Sequence, residues 1–369
     1  MMESSYSNRN QQLSATDGSS RRRFIAQAGG AMAAAAAHKL MAAEPTASPS
    51  GAQQPSAKPS APLFWGNLLH LSYNMWCDRI VDQLPGMSKA RTEVNCRKPY
   101  LRCDDQLWRD LTARMAEAGM NLLLIDLGDG VRYESHPEIA VTGAWTPQKL
   151  CTELARLRKL GLEPIPKLNF STAHDTWLGP YRRQVSTPTY YKVCGELIAE
   201  VAKLFDKPRF FHLGYDEETA GNQVNNDYVV VRQHELWWHD FEFFVAEVQR
   251  NGMRPWIWSD YAWKHRDDFL RRTPKSVLQS NWYYGTNFTE KETAVKLYGD
   301  LEQHGFDQAP TGSNFEHPQN FGETVKYCRR IIAPERLKGW VQTPWRPTLE
   351  QFRRVHMEAI AQVAEAMKS

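Results

Sequence analysis

From Leu63 onward, short apolar runs alternate with amphipathic stretches of helical period along the chain. Eight runs predict strands: Phe64–Asn74, Asn121–Asp126, Glu163–Asn169, Arg209–Gly214, Arg254–Asp260, Ser276–Trp282, Asp307–Asn314 and Gly339–Trp345. Most helical stretches end in a glycine just before the next strand, which is typical of helix C-termini. Eight strand–helix units in roughly 300 residues predict an α/β fold, a closed (β/α)8 TIM barrel. An open doubly wound sheet is disfavoured because no glycine-rich nucleotide loop follows the first strand.

The first 62 residues do not follow this pattern. Residues 1–43 place the pair Arg21–Arg22 before a weakly hydrophobic Ala/Gly run, an order typical of a twin-arginine export signal. Residues 44–62 are rich in Pro, Ser and Ala and indicate a flexible linker, which leaves residues 63–369 as the folded domain. The signal implies the twin-arginine translocation machinery as a partner, and a periplasmic or secreted protein without a stable membrane anchor after cleavage. A basic low-complexity tail is the alternative interpretation.

Composition narrows the range of functions. The 45 Lys and Arg nearly balance the 42 Asp and Glu, and a formal charge of +3 excludes a strongly basic nucleic-acid-binding protein. The 13 Trp, 14 Tyr and 15 Phe suit a concave site that grips flat, partly apolar ligands. No Cys/His spacing of the zinc type is present, so we expect neither a metal nor a cofactor.

Six cysteines do not make a disulfide scaffold in a domain of this size. Cys151, Cys194 and Cys328 fall on helical patterns and are expected to be small buried residues. Cys77, Cys96 and Cys103 fall in one loop region after the first strand, where an oxidising compartment would allow a bridge between Cys96 and Cys103 that the sequence alone does not establish.

The fourth predicted strand ends in three consecutive acids, Asp216, Glu217 and Glu218. In (β/α)8 barrels, catalytic residues lie at the carboxyl ends of the strands. Carboxylates beside apolar residues are costly to bury without a purpose, so this segment is the first candidate for chemistry. The alternative is a solvated loop of charges, or a helix N-terminus that favours acids through its dipole.

The same segment resembles the His-x-Gly-Gly-Asp-Glu motif of the family 20 glycoside hydrolases, the β-N-acetylhexosaminidases. His212, Gly214, Asp216 and Glu217 match the motif, and Tyr215 replaces its second glycine. Other segments resemble segments of the family and occur in the same order along the chain. They are residues 121–129 and 136–139 at the second strand, 143–146 before a helix, and 162–169 at the third strand. His174 lies near the position of the histidine in the family's Pro-Gly-His segment. The similarity spans roughly residues 63 to 350 on the barrel that the hydrophobic pattern predicts independently.

The resemblance implies roles for the catalytic residues. Glu217 would be the general acid/base, and Asp216 would orient the substrate's 2-acetamido group so that its amide oxygen attacks the anomeric carbon. Asp129 and His174 would form a polar relay that tunes Glu217. These roles imply an exported glycoside hydrolase that cleaves N-acetylhexosaminides with retention, its partner being an oligosaccharide or glycoconjugate.

The remaining candidate residues would bind the sugar. Trp258, Trp282 and Trp345 end predicted strands and would stack on the apolar faces of the ring, although each also suits plain packing at the barrel end. The other candidates for substrate binding are His212, Asp260 and Tyr283.

Several positions depart from the family pattern. The segment 70–76 lacks the arginine that the family has at its first strand. At the third strand, Lys167 and Asn169 stand where the family has acids. After the eighth-strand Trp, Pro347 stands where the family has an acid. These departures favour a carbohydrate-binding barrel, or a hydrolase of a different glycan, as the main alternative. A further alternative is a metal-dependent barrel hydrolase that uses His70, His174, His212 and Asp216.

Overall fold

The computed structural model describes residues 62–369, and the predicted export signal lies outside this range. The strands are β1 (Phe64–His70), β2 (Leu122–Asp126), β3 (Glu163–Lys167), β4 (Phe210–His212), β5 (Arg254–Trp258), β6 (Leu278–Ser280), β7 (Thr311–Gly312) and β8 (Gly339–Gln342). The helices are α1 (Lys89–Asn95), α2 (Asp105–Glu117), α3 (Pro147–Lys159), α4 (Pro188–Leu204), α5 (His234–Arg250), α6 (Arg266–Arg272), α7 (Thr293–Gln303), α8 (Asn320–Ile331) and α9 (Arg353–Ala366). Within the described range, no helix is both long enough and apolar enough to cross a membrane.

The eight strands are parallel and follow the order β6-β5-β4-β3-β2-β1-β8-β7. Single backbone bridges join the two outermost strands, Gln279 with Gln308 and Trp282 with Thr311, so the barrel is nearly closed. The predicted (β/α)8 barrel is therefore confirmed. Every predicted strand is present but shorter than predicted, because several apolar runs continue beyond the sheet as buried loops at the barrel mouth.

Alternation of side chains along the strands builds two apolar layers. In β2, Leu122 and Leu124 point into the barrel, whereas Leu123 and Ile125 pack against the surrounding helices. The interior layer also holds Phe64, Leu68, Ile165, Phe210, Trp256, Leu278 and Val341. Because residues at i and i+2 share a face, the residues that follow each strand continue the interior row toward the mouth.

One level of the interior is polar. The strand register places His70, Asp126, Lys167 and His212 side by side on β1 to β4. Asp126 Oδ2 lies 2.7 Å from Lys167 Nζ and 3.2 Å from His70 Nδ1, and all three side chains are buried. Although burial raises it, the positive charge of Lys167 and a hydrogen bond with His70 lower the pKa of Asp126 to about 2.

The cysteines do not pair as the sequence allowed. Cys103 bridges to Thr348 through its backbone, whereas Cys96 lies beside Cys77, with their sulfur atoms 3.9 Å apart. The pairing of Cys96 with Cys103 is therefore wrong, because the two side chains belong to different apolar clusters. Cys194 and Cys328 are buried as predicted, but Cys151 is exposed on α3.

Replacing Lys167 by Met should strand the Asp126 carboxylate in the barrel and lower the free energy of unfolding by about 3–5 kcal/mol. Urea unfolding followed by circular dichroism measures this change. Lys149→Met is the matched control, since Lys149 is also 2.7 Å from a carboxylate, that of Asp105, but on the surface. The control should lose less than about 1 kcal/mol. Equal losses of unfolding free energy in both variants would show that burial of the Lys167–Asp126 pair does not increase its contribution to stability.

Candidate active site

The turn after β4 aims the acids into the barrel mouth through an unusual backbone. Gly214, Tyr215 and Glu217 have φ angles of 68°, 72° and 55°, in the left-handed region. At Gly214, an added Cβ would lie 2.1 Å from Asn169 Oδ1, so both conformation and space require glycine. Tyr215 accepts the strain because its ring is buried and anchored. The ring is surrounded by Trp237, Phe241, Phe244 and the guanidinium of Arg232.

Asp216 and Glu217 converge on one histidine. His174 Nε2 lies 3.2 Å from Glu217 Oε2 and 3.5 Å from Asp216 Oδ2. His174 and Asp216 are buried, but 29% of the Glu217 side chain remains exposed. Of the two carboxyl groups, that of Glu217 is therefore the more exposed to a ligand in the mouth.

Two further side chains hold this pair in place. Asn169 Nδ2 donates to Asp216 Oδ1 at 2.8 Å, while Asn169 Oδ1 accepts from the backbone N–H of Tyr215. Asp260 Oδ2 accepts from the backbone N–H of Glu217 at 2.8 Å. Asn169 follows β3 and Asp260 follows β5, the two neighbours of β4, so the turn after β4 is held on both sides.

Burial and the neighbouring charges shift the pKa values of His174, Asp216 and Asp260. Burial lowers the pKa of His174, but the carboxylates of Asp216 and Glu217 outweigh it and raise that pKa to about 9. Burial raises the pKa of Asp216, which His174 partly offsets. Burial, and then the charge of Asp216, raise the pKa of Asp260 to about 8. At neutral pH, His174 therefore carries a positive charge and Asp260 is protonated.

The third acid of the segment has a different environment. Glu218 forms a buried ion pair with Arg232, with an O–N distance of 2.6 Å, and Arg232 also contacts Asp240 on α5. Glu218 Oε2 accepts from the backbone N–H of Thr172. Glu218 therefore anchors the turn and faces no open space.

Aromatic rings form the wall of the mouth. The ring of Trp76 meets the His174 ring edge-on at 4.8 Å and the Trp345 ring at 6.0 Å. Trp258 lies 6.1 Å from Trp345, whose Nε1 donates to the hydroxyl of Tyr284 at 2.9 Å. Trp76 therefore connects the ring of His174 with a row of largely buried aromatic residues.

Two predicted sugar-binding residues, His212 and Tyr283, do not face the mouth, whereas Trp282 packs beside the mouth residue Tyr284. The His212 ring is fully buried against Trp258, and its Nδ1 accepts from Gly214 N–H, so it supports the turn and does not reach the mouth. Tyr283 packs on Phe288 in the outer apolar layer. Trp282 is half-buried and stacks on Tyr284, at a centroid distance of 4.9 Å.

Asp129 does not form the predicted relay with His174. Its two carboxyl oxygens accept from Ser72 Oγ and from Asn74 Nδ2, the latter at 2.8 Å. Burial raises the pKa of Asp129 to about 6 despite these bonds. Asp129 thus holds the loop after β1, which also carries Trp76.

Sequence reasoning missed Trp76, Asn169 and Tyr284 as parts of the site. Asn169 follows Lys167 by two residues, so strand alternation already indicated that it faces the mouth. By the same alternation, Tyr284 shares a face with Trp282, whereas Tyr283 points to the opposite side. For Trp76, the chain carries no such signal, because it lies six residues beyond the last residue of β1.

Within residues 62–369, His174, Asp216 and Glu217 are also the group that could hold a metal ion, with donor atoms within 4.8 Å of one another. A metal at this site would have to displace the proton from His174, whose pKa is raised to about 9. The structure does not bring together the set His70, His174, His212 and Asp216, because His70 and His212 belong to the interior layer of Asp126.

Gly214→Ala should displace the Asn169 side chain and free the Asp216 carboxylate, with a loss of roughly 1–3 kcal/mol in unfolding free energy. Gly161→Ala is the matched control: its φ of +79° is also left-handed, but no atom lies within 4 Å of the added Cβ. It should lose only the backbone cost, about 1 kcal/mol. If the two variants are equally stable, the contact with Asn169 is not the reason why position 214 requires glycine.

The proton on His174 should be lost only near pH 9, which imidazole NMR shifts would detect. Its folded-state pKa lies above the ordinary 6.5, so its contribution to stability is complete below pH 6.5 and disappears as the pH rises through about 9. Asp216→Asn removes a carboxylate and should lower the pKa of His174. Glu117→Gln, an exposed acid on α2, should leave it unchanged. A wild-type His174 that titrates at or below pH 6.5 would contradict the ion-pair geometry.

No protein-family model matches the sequence, and no curated protein sequence does so either. Solved structures do match the fold. The GH20 exo-β-N-acetylglucosaminidase of Vibrio harveyi aligns with a TM-score of 0.55 at 13% identity, over 82% of this chain and 54% of that one. The β-N-acetylhexosaminidase of Bacteroides fragilis gives 0.53 at 13% identity, over 81% and 65%. The GH20 β-N-acetylhexosaminidase of Streptomyces coelicolor gives 0.52 at 12% identity, over 80% and 63%.

The chain thus spans between about half and two thirds of the length of these structures. At such low identity, the likeness concerns the fold. It extends over 82% of the chain for the Vibrio harveyi structure. The structural neighbours of this chain are family 20 glycoside hydrolases, with which it shares the (β/α)8 barrel.

Proposed function

We propose that this protein is a glycoside hydrolase that cleaves N-acetylhexosaminides with retention, through attack by the substrate's own acetamido oxygen. The observation that carries the proposal is that Glu217 and Asp216 have oxygens within 4.8 Å of each other and of His174. Glycosidases with two catalytic carboxyls place them on either side of the scissile bond. Consecutive residues that share one histidine lie on the same side, which suits one proton donor and one group that orients the substrate.

Glu217 is the general acid and base in this proposal. It is the exposed member of the pair, and its carboxyl lies 3.2 Å from the positively charged His174. When Glu217 gives its proton to the leaving oxygen, the imidazolium stabilises the carboxylate that remains. In the second half of the reaction, the same carboxylate accepts a proton from water.

Asp216 orients the acetamido group. One of its oxygens is held by Asn169 and the other faces His174, so the carboxylate is fixed in direction and poorly placed to attack carbon. As the amide oxygen attacks the anomeric carbon, positive charge spreads onto the amide nitrogen, and Asp216 stabilises it. Asp260 supplies no competing nucleophile, because its pKa of about 8 keeps it protonated at neutral pH.

The aromatic wall supplies the sugar subsite. Trp76, which is half-buried and contacts His174, offers an apolar face for a pyranose ring, and the buried rings of Trp345 and Trp258 support it from within the barrel. The substrate in this proposal is an oligosaccharide or glycoconjugate with an N-acetylhexosamine unit. The named activities of the Vibrio harveyi and Bacteroides fragilis proteins support the same class of substrate.

A hydrolase of a different glycan is the second candidate, and the polar interior layer favours it. His70 and Lys167 stand at strand ends where they could hold sugar hydroxyls, but both are buried against Asp126. Few charged groups therefore remain for the outer hydroxyls of a hexosamine.

The location of the enzyme is a separate proposal that rests on the pattern around Arg21 and Arg22, from which we infer export to the periplasm or the medium.

The decisive experiment compares an aryl β-N-acetylglucosaminide with the same glycoside lacking the acetamido group. We expect turnover of the first alone, because the second lacks the internal nucleophile. Glu217→Gln should reduce kcat roughly 10²–10⁴-fold on poor leaving groups and less on activated aryl groups. Asp216→Asn should lower kcat strongly and weaken the binding of a thiazoline mimic of the cyclised intermediate.

The control variant is Glu117→Gln, which removes an exposed acid far from the mouth and should change neither substrate's turnover. A chelator should also have no effect on the wild type. Equal turnover of both glycosides, or a sugar trapped covalently on Asp216, would refute substrate assistance. Loss of activity with the chelator would support a metal held by His174, Asp216 and Glu217 instead.

A further inference from the structure

The loop after β1 brings two thiols together in a small apolar cluster. Cys77 and Cys96 are fully buried, and their sulfur atoms lie 3.9 Å apart. Leu84 completes the cluster, and Val81 and Met87 pack against it. No other part of the described chain places two cysteine sulfurs in contact.

The backbones around these thiols are already aligned for a covalent link. Cys77 and Cys96 are partners in a parallel backbone bridge, so their Cα–Cβ bonds start from adjacent positions. Cys96 is also fixed as the residue that ends α1, through its N–H bond to Thr92 O. A disulfide needs its sulfurs about 2 Å apart, which small side-chain rotations can supply from the observed separation.

This pair lies next to the candidate active site. Trp76, adjacent to Cys77, contacts His174 and Trp345. On the other side, Cys77 Sγ donates to the carbonyl of Asn225 at 3.2 Å, in the loop that follows β4. A link between Cys77 and Cys96 would therefore fix the segment that carries the Trp76 ring.

We propose that Cys77 and Cys96 form a disulfide when the protein meets a disulfide-containing oxidant, such as an exchange protein or oxidised glutathione. One thiolate attacks the oxidant's disulfide, forms a mixed disulfide and releases one thiol. The second cysteine then attacks the mixed disulfide and releases the other thiol. Two electrons and two protons pass from the cysteine pair to the oxidant, and one intramolecular S–S bond remains.

Burial of the two thiols slows formation of the disulfide but does not change which cysteines are joined. Shielding from water raises the pKa of the Cys77 thiol to about 11, so the closed loop holds little thiolate. Oxidation therefore proceeds when the loop opens or while the chain folds. The proposal does not depend on the glycosidase activity, because its chemical readout is the number of free thiols.

The test uses the full chain with Cys151→Ser, which removes the exposed thiol and leaves five cysteines. The protein is equilibrated with oxidised glutathione, both in the native state and during refolding, and is then denatured and alkylated. We expect three alkylated cysteines by mass spectrometry after oxidation and five after reduction. A non-reducing peptide map should join the peptides of Cys77 and Cys96.

Two further variants sharpen the result. Adding Cys77→Ser should leave four alkylated cysteines under both conditions, whereas adding Cys103→Ser should preserve the loss of two thiols on oxidation. Reduction should lower the melting temperature of the Cys151→Ser protein by roughly 5 °C, and that of the Cys77→Ser variant should not change. Five alkylated cysteines in both the native and the refolding arm, or a bridge that includes Cys103, would overturn the proposal.

Discussion

The buried ion pair between Lys167 and Asp126 sets the level at which the barrel interior changes from apolar to polar. Below it, leucine and aromatic side chains from the parallel strands fill the barrel. Above it, alternation brings Asn169 to the mouth, two residues beyond Lys167 on the same face. Asn169 in turn holds Asp216 and the N–H of Tyr215. Asp216 is therefore held by a residue that stands directly above a buried ion pair on the same strand face.

The cluster at the mouth shows how several carboxyl groups can share a confined space. Three acids and one histidine lie together, and full ionisation of all the acids would be strongly unfavourable. Burial raises the pKa of Asp260 to about 8, which keeps it protonated, and the neighbouring carboxylates raise the pKa of His174 to about 9, which places a positive charge beside Asp216. Glu218, the third acid of the sequence run, is neutralised separately by Arg232. The three adjacent carboxyls therefore have three different sets of partners: Asp216 contacts Asn169 and His174, Glu217 contacts His174, and Glu218 contacts Arg232.

Strand periodicity predicted the parts of the molecule that repeat. The eight strands and the acids at the end of β4 follow from alternation and from their place in the barrel. Residues in irregular segments were predicted less well, because their partners come from distant loops. The partners of Asp129 are Ser72 and Asn74, which precede it by more than fifty residues. Similarly, the choice between Cys77 and Cys103 as neighbours of Cys96 depends on how the loop after β1 folds back.

The two halves of the barrel differ in how firmly they are joined. β1, β2 and β3 pair over five residues at each interface, whereas β7 contributes two residues and meets β6 only through single bridges. His174 follows β3, whereas Asp216 and Glu217 follow β4, and these two strands pair at a single register position, Lys167 with His212. The hydrogen bonds of Asn169 to Asp216 and to the Tyr215 N–H therefore join the two loops where the sheet ladder is weakest. Side-chain contacts, rather than strand pairing, set the spacing between the histidine and the acids.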